Sequence, residues 1–314
     1  MELQQLNEQL QKQISEVILG KEDVVKLILN ALVNQGHVLL ESVPGTGKTM
    51  LAKSIAKSID GDFKRIQFTP DILPSDVTGI QFFNPKLQQF ELKVGPVVTN
   101  VLLADEINRA TPRTQSSLLE VMEEKQVTID GETISIEQPF IVIATQNPIE
   151  SQQGTFELPE AQLDRFFMKI NIGYPSFEEE RKMMQIHKSN EPIHSLTSLI
   201  KREDLLRIQE EVQSVHLSEA VETYLLSLIY MTRDHKDIEI GISPRGTLAL
   251  MRASQAEALI NNRKYVIPED VKKVAPYVLA HRVILSLEAA TKKDQIQVLE
   301  EILESLQVPV EIGE

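Results

Sequence analysis

Pro44-Gly45-Thr46-Gly47-Lys48-Thr49 is the segment whose residue types point most directly to a chemistry. Gly45 and Gly47 let successive backbone N–H groups turn inward around phosphate oxygens, and a helix starting here adds its positive end. In such a loop Lys48 reaches the β- and γ-phosphates of a nucleotide, and the Thr49 hydroxyl takes one position on Mg2+. These six residues are the nucleotide-binding candidates. The pattern G-x-x-x-x-G-K-[ST] calls for glycine where this chain has Ser42, its one departure. The bland alternative is a glycine-rich turn before an ordinary helix.

A second constellation follows at Val101-Leu102-Leu103-Ala104-Asp105-Glu106, an apolar run ending in two carboxylates. At the carboxyl end of a buried strand, Asp105 would hold Mg2+ and Glu106 would orient or activate the attacking water. Alone, such a run could equally be a strand entering a solvated turn; the loop upstream supplies the second part of one machine in the expected order. A third run, Phe140 to Ala144, leads into Thr145-Gln146-Asn147-Pro148. It offers the Asn147 amide to a γ-phosphate or a water, against the alternative of a simple Asn-Pro turn.

The elements that must position these groups alternate between strand and helix. His37 to Leu40 reads as a short buried strand, then comes the loop, then a helix from Met50 to Ile59. Lys64 to Phe68, Val98 to Ala104 and Phe140 to Ala144 read as interior strands of a parallel sheet. Upstream, Leu3, Leu6, Leu10, Ile14 and Val17 mark one helical face, and a second helix runs from Glu22 to about Asn34. Gln81 to Lys93 and Val127 to Glu137 read as hairpins, the latter turning at Asp130-Gly131. Phe82, Phe83 and Phe90 in the first either pack its base or grip a substrate.

After Gly173-Tyr174-Pro175-Ser176 helical periodicity takes over. Helices are expected over Glu178 to Lys188, Arg202 to Gln213, Ser218 to Asp234, Pro244 to Asn261, Pro268 to His281 and Lys293 to Leu306. The expectation is therefore an αβα core over residues 1–174 and an all-α domain over residues 175–314.

Composition narrows the chemistry. There is no cysteine, so disulfides, thiol nucleophiles and thiolate metal sites are excluded. The six histidines, His37, His187, His194, His216, His235 and His281, show no short metal-ligand spacing. Gly241-Ile242-Ser243-Pro244-Arg245-Gly246 misses the G-x-S-x-G elbow of serine hydrolases. A formal charge of −14, from 32 basic and 46 acidic side chains, argues against a nucleic-acid partner. No apolar run reaches the length of a membrane span and the first residues lack a signal-peptide core, so a cytoplasmic protein without membrane insertion is expected.

Lys48-Thr49, Asp105-Glu106, Thr145 to Pro148, Leu163-Asp164-Arg165-Phe166 and Ser243-Pro244-Arg245 together resemble an AAA+ ATPase. The linking segments Glu106 to Ala110, Gly154 to Gln162 and Gly241 to Arg245 resemble the MoxR family within it. The resemblance spans nearly the whole chain. It implies a P-loop AAA+ core and a helical lid, with Lys48 and Thr49 in Walker A and Asp105 and Glu106 in Walker B. It further implies Asn147 as sensor 1, Arg165 as the arginine finger reaching a neighbouring subunit's γ-phosphate, and Arg245 as the sensor 2 arginine. The cofactors implied are ATP and Mg2+, and the assembly a homo-hexamer.

Arg109 and Arg113 are rival interface arginines, and Arg165 could instead form an ion pair with Asp164 or another carboxylate. Arg245 stands in the first turn of a helix, where a cation opposes the dipole; a phosphate across the domain cleft would explain it, as would a lid carboxylate. The two hairpins are similar to the helix 2 and pre-sensor 1 insertions of the MoxR and magnesium-chelatase branch. MoxR-like ATPases resemble chaperones that mature a protein client, often with a von Willebrand factor A domain protein in trans. The competing expectations are a DNA-directed motor and a low-turnover binding switch.

Overall fold

The computed structural model describes residues 2–43, 45–147, 155–186 and 196–309. Pro44, Pro148, Gly154, His187 and His194, all named above, lie outside the described residues. In chain order, α1 (Leu3–Ser15) and α2 (Glu22–Val33) precede β1 (Val38–Ser42) and α3 (Lys48–Ser58). Next come β2 (Phe63–Gln67), α4 (Pro74–Thr78) and the hairpin of β3 (Gly79–Asn84) and β4 (Gln89–Val94). They lead to β5 (Val101–Asp105), α5 (Pro112–Glu124), the hairpin of β6 (Gln126–Ile129) and β7 (Glu132–Ser135), β8 (Ile141–Gln146), α6 (Glu160–Leu163) and β9 (Met168–Ile172). The rest is α7 (Phe177–Ile186), α8 (Arg202–Gln213), α9 (Glu219–Asp234), α10 (Pro244–Ile260), α11 (Pro268–Leu279), α12 (Leu287–Ala290) and α13 (Gln295–Ser305). A short ribbon of β10 (Ile238–Ile240) and β11 (Ile284–Leu285) is set among those helices.

Five strands form one parallel sheet in the order β2-β5-β8-β1-β9. The central strands begin with apolar runs because both faces are covered, and turn polar only at their carboxyl ends. Each strand sends alternate residues to opposite layers. Leu40, Leu103 and Ile143 join one apolar cluster, and Leu39, Leu102 and Val142 the other. The order places β8 between β1, which feeds the glycine loop, and β5, which ends at Asp105.

Two expectations about the sheet are corrected. Residues Lys64 to Phe68 do not form an interior strand: β2 is an edge, with Lys64, Arg65 and Gln67 exposed, and charge on an edge discourages pairing with another chain. The sheet also has a fifth strand, β9, in which Met168, Ile170 and Ile172 are buried and alternate with Lys169 and Asn171.

The lid shares its core with the beginning of the chain. The buried face of α1, together with α2, belongs to the same apolar cluster as α8, α9, α10, α11 and α13. Polar ties reinforce the contact. Asn30 Nδ2 donates to Ala253 O at 2.9 Å, Gln209 Nε2 to Leu32 O at 3.0 Å, and Lys26 Nζ meets the buried Glu257 carboxylate at 2.6 Å.

Both hairpins are present. Asp130 and Gly131 have positive φ, as a tight two-residue turn requires. In the other hairpin Phe83 and Phe90 face each other and stack edge to face at 5.5 Å, exposed rather than packed into the hairpin base. No helix among the described residues is long and apolar enough to cross a membrane.

Candidate nucleotide site on two edges of the sheet

At the carboxyl edge, β1 delivers the chain into the glycine loop. Gly45 and Gly47 have φ of 82° and 84°, a conformation that favours residues without a Cβ. A Cβ on Gly45 would meet no atom within 4 Å, so the loop opens onto free space. Gly47 caps α3 with no side-chain hydrogen bond, which leaves the first N–H groups of that helix for an anion. Ser42, the departure from the pattern, is buried and its Oγ has no partner. Ile18, from the segment before α2, lies in van der Waals reach of the place a Gly47 Cβ would occupy; sequence reasoning gave it no role.

Asp105 ends β5 buried, with both oxygens engaged. Thr145 Oγ1 donates to Oδ1 at 2.6 Å and Arg65 Nη2 pairs with Oδ2 at 2.6 Å. Each oxygen keeps a second lone pair for a water or ion. Glu106 adopts the left-handed conformation (φ 57°, ψ 49°), uncommon for a residue with a side chain and concentrated at functional sites. Its N–H donates to Thr145 Oγ1 at 2.9 Å, so a single hydroxyl fixes the neighbouring carboxylate and the unusual backbone turn together. The Glu106 carboxylate accepts from Arg109 Nη1 at 2.9 Å and from Gln67 Nε2 at 2.8 Å. Asn147, buried, directly follows β8, the strand between β1 and β5. Arg109 is thus tied to Glu106 in its own chain, and Arg113 is exposed at the start of α5.

Arg165 and Arg245 are elsewhere. Arg165 precedes β9, whose Met168 pairs with Val38 at the start of β1, so it stands at the amino edge of the sheet. The five residues of β1 separate the two edges by roughly 16 Å, at about 3.3 Å per residue. Arg245, in the first turn of α10, is at this same amino edge. Glu123, near the end of α5, takes Arg165 Nε at 3.3 Å and Arg245 Nη2 at 2.5 Å. Arg245 thus meets a carboxylate of α5 and not one of the lid: α10 packs on α1 and α2, which carries its first turn to this edge. Together these residues line a cavity of about 520 Å³ with Lys125, Arg252 and Arg282.

Two buried histidines hold this edge. Val142 N–H donates to His37 Nδ1 at 2.9 Å, so the proton is on Nε2, which donates to Met122 O at 2.9 Å, immediately before Glu123. Burial pushes the His37 imidazole down to about 4. His281 Nε2 faces Phe166 O at 3.0 Å, immediately after Arg165, and burial with Arg282 alongside holds this ring well below the usual histidine range. Lys125, in left-handed backbone after α5, is held below its ordinary value by burial and then by Arg252. Thr145, Glu123, His37, His281 and Arg282 are the residues that sequence reasoning did not place at a site.

Comparison with known proteins gives the family. Residues 37–168 match the family described as ATPase family associated with various cellular activities (AAA), and residues 230–302 match the AAA lid domain. The chain is 50% identical over 299 residues to the uncharacterized protein YeaC of Bacillus subtilis, across 95% of this chain and 93% of that protein. It is 40% identical to Chaperone MoxR1 of Mycobacterium tuberculosis, across 95% and 81%. It is 32% identical to Protein MoxR of Paracoccus denitrificans, across 87% of each. The crystal structure of a candidate ATPase from Cytophaga hutchinsonii superposes with a TM-score of 0.91 at 40% identity, covering 98% of this chain and 96% of that one. On the sheet order, the open glycine loop and these relatives, the chain belongs to the MoxR family of AAA+ ATPases.

Proposed function

We propose that this protein hydrolyses ATP with Mg2+ in a ring of identical copies, a homo-hexamer, and uses turnover to remodel or mature a protein client. The observation that carries the reading is the division of the site. The glycine loop, Asp105, Glu106 and Asn147 lie at one edge of the sheet, while Arg165 and Arg245 meet at Glu123 on the other. A site with its cations on the opposite edge is completed by a second copy, whose amino edge meets the first copy's carboxyl edge.

In this reading Pro44, Gly45, Thr46 and Gly47 cradle the phosphates and Lys48 neutralises them. Thr49 and Asp105 hold Mg2+, which when bound offsets negative charge on the phosphate oxygens. The uncapped α3 and the buried, partnerless Ser42 Oγ fit a phosphate guest. Glu106 orients and deprotonates the attacking water, and Asn147 aligns it. Arg165 and Arg245 come from the neighbour and stabilise charge as the terminal phosphoryl group leaves. We assign the nucleotide core to residues 1–174 and the lid to residues 175–314, and place the protein in the cytoplasm.

The chaperone-like role rests on relatives named as chaperones. The exposed Phe83–Phe90 pair offers an apolar contact for a client or for a von Willebrand factor A domain protein in trans. A net charge of −14 disfavours the DNA-directed alternative.

The test is particle size with and without ATP·Mg2+, together with ATPase activity across protein concentration. Specific activity should rise with concentration as nucleotide-dependent rings form. Full activity from a monomer, flat with dilution, rejects the shared site.

A further inference from the structure

Arg282 makes contacts that the hydrolytic reading leaves without a purpose. It ends the turn after α11, and its side chain is only 3% exposed. All three guanidinium nitrogens are spent on the segment that presents Arg165. Nε donates to Asp164 Oδ1 at 2.8 Å, and Nη2 to Asp164 O at 3.2 Å and Phe166 O at 2.7 Å. Nη1 donates to Phe167 O at 3.3 Å and to Val278 O in its own helix. His281 adds a further donor to Phe166 O, as it must, since a carbonyl oxygen only accepts.

The same joint reaches the other arginine. Ser243 Oγ, the N-cap of α10, donates to the Asp164 carboxylate at 3.2 Å, and Arg245 lies two residues further on. The first turn of α10 is thinned to let the Arg282 stem pass. A Cβ on Gly246 would stand 3.0 Å from Arg282 Cδ and 2.6 Å from Ile242 Cγ2. Burying a guanidinium costs several kcal/mol of desolvation, which an apolar contact of the same shape avoids. What the planar fork supplies instead is direction: it fixes several carbonyls of one loop at once.

We propose that Arg282 is a positioning residue for the trans-acting arginines: through the Asp164 carboxylate and the carbonyls of Asp164, Phe166 and Phe167 it locks the lid and the Arg165 segment into one rigid piece. Movement of the lid in one copy then changes the pose of the arginine offered to the neighbour. The inference rests on Arg165 completing a neighbour's site.

Subunit mixing provides the test, using full-length protein with ATP·Mg2+. Arg282→Lys keeps the charge and loses the fork. It should retain binding of a fluorescent ATP analogue, show faster hydrogen exchange at the amides of residues 163–167, and lose about 10²-fold in kcat, the scale of a displaced catalytic group. Mixed with Glu106→Gln, which has a defective site and an intact Arg165, it should regain turnover beyond the sum of the separate proteins. Mixed with Arg165→Ala it should not.

Unchanged exchange and kcat in Arg282→Lys overturn the proposal, as does recovery with Arg165→Ala but not with Glu106→Gln. If Arg282→Lys does not fold, Asp164→Asn, which removes one charge of the joint and keeps the carbonyl contacts, must show the same mixing pattern. Full turnover by Arg165→Ala alone would instead sink the reading of Arg165, independently of Arg282.

Discussion

The two edges of the central sheet are built in opposite ways. At the carboxyl edge the glycine loop faces open space, α3 begins uncapped, and Asp105 and Glu106 keep lone pairs for a guest. At the amino edge the two candidate arginines are already paired. Arg165 and Arg245 share Glu123, Arg282 is buried against the preceding loop, and two neutral histidines fasten the backbone. One edge presents an open glycine loop beside two carboxylates, and the other gathers paired arginines. They stand about one strand length apart, so under the proposed reading neither edge finishes the chemistry within one copy.

The largest effect should come from the edge that delivers charge. Arg165→Ala should lower kcat about 10³- to 10⁵-fold, measured as phosphate release in assembled protein, with nucleotide affinity of the protomer unchanged. Next is Glu106→Gln, expected to cost about 10²- to 10⁴-fold in kcat while still binding nucleotide. Mixing these two inactive variants should restore turnover, because each lacks the half that the other keeps. If the mixture stays inactive while both variants assemble, the two-edge division is wrong.

The amino edge should also be the acid-sensitive one. His37 and His281 are neutral when folded, with imidazoles held below their ordinary value, so the unfolded chain takes up protons that the fold refuses. Their stabilisation is complete above about pH 6.5 and declines as pH falls, for His37 toward about 4. For His37 the loss amounts to roughly 3 kcal/mol from a 2.5-unit span at 1.36 kcal/mol per unit. Unfolding midpoints from pH 7 to 4 should fall less steeply in His37→Asn than in the parent; parallel curves would remove His37 from the account.

The smallest expected change lies away from both edges. Asp294 caps α13 through Gln297 N at 2.8 Å, so Asp294→Ala should cost about 1 kcal/mol of stability and leave kcat unaltered.

The two edges also differ in how far a linear sequence reveals them. Lys48 and Thr49 follow β1 across a short glycine loop and Asp105 and Glu106 stand at the end of β5, so local spacing alone singles them out. Asp130-Gly131 announced its hairpin through the turn chemistry of two residues. The amino edge has no such local signature: Arg282 and Asp164 are 118 positions apart, and Glu123 and Arg245 are 122. They meet because α11 and the turn after it pack on β9 and α6, and α10 packs on α1 and α2. β2 was misread as interior because Lys64 to Phe68 carries two apolar residues among charged ones, and only the strand order shows it to be an edge. β9 escaped notice because Lys169 and Asn171 interrupt its apolar residues, although that alternation is what a half-covered strand requires.

The shared core of the first two helices and the lid bears on how the protein can be cut. The segment matched to the AAA family begins at residue 37 and ends at 168. A fragment of that span would lack α1 and α2 and the lid that packs on them, exposing Val38, Leu40, Leu51 and Ile55 from a single apolar cluster. It would also lose the Arg282 clamp and part of β9. A fragment of residues 37–168 would therefore be aggregation-prone, and the apolar cluster is complete only in a unit that runs from α1 through α13.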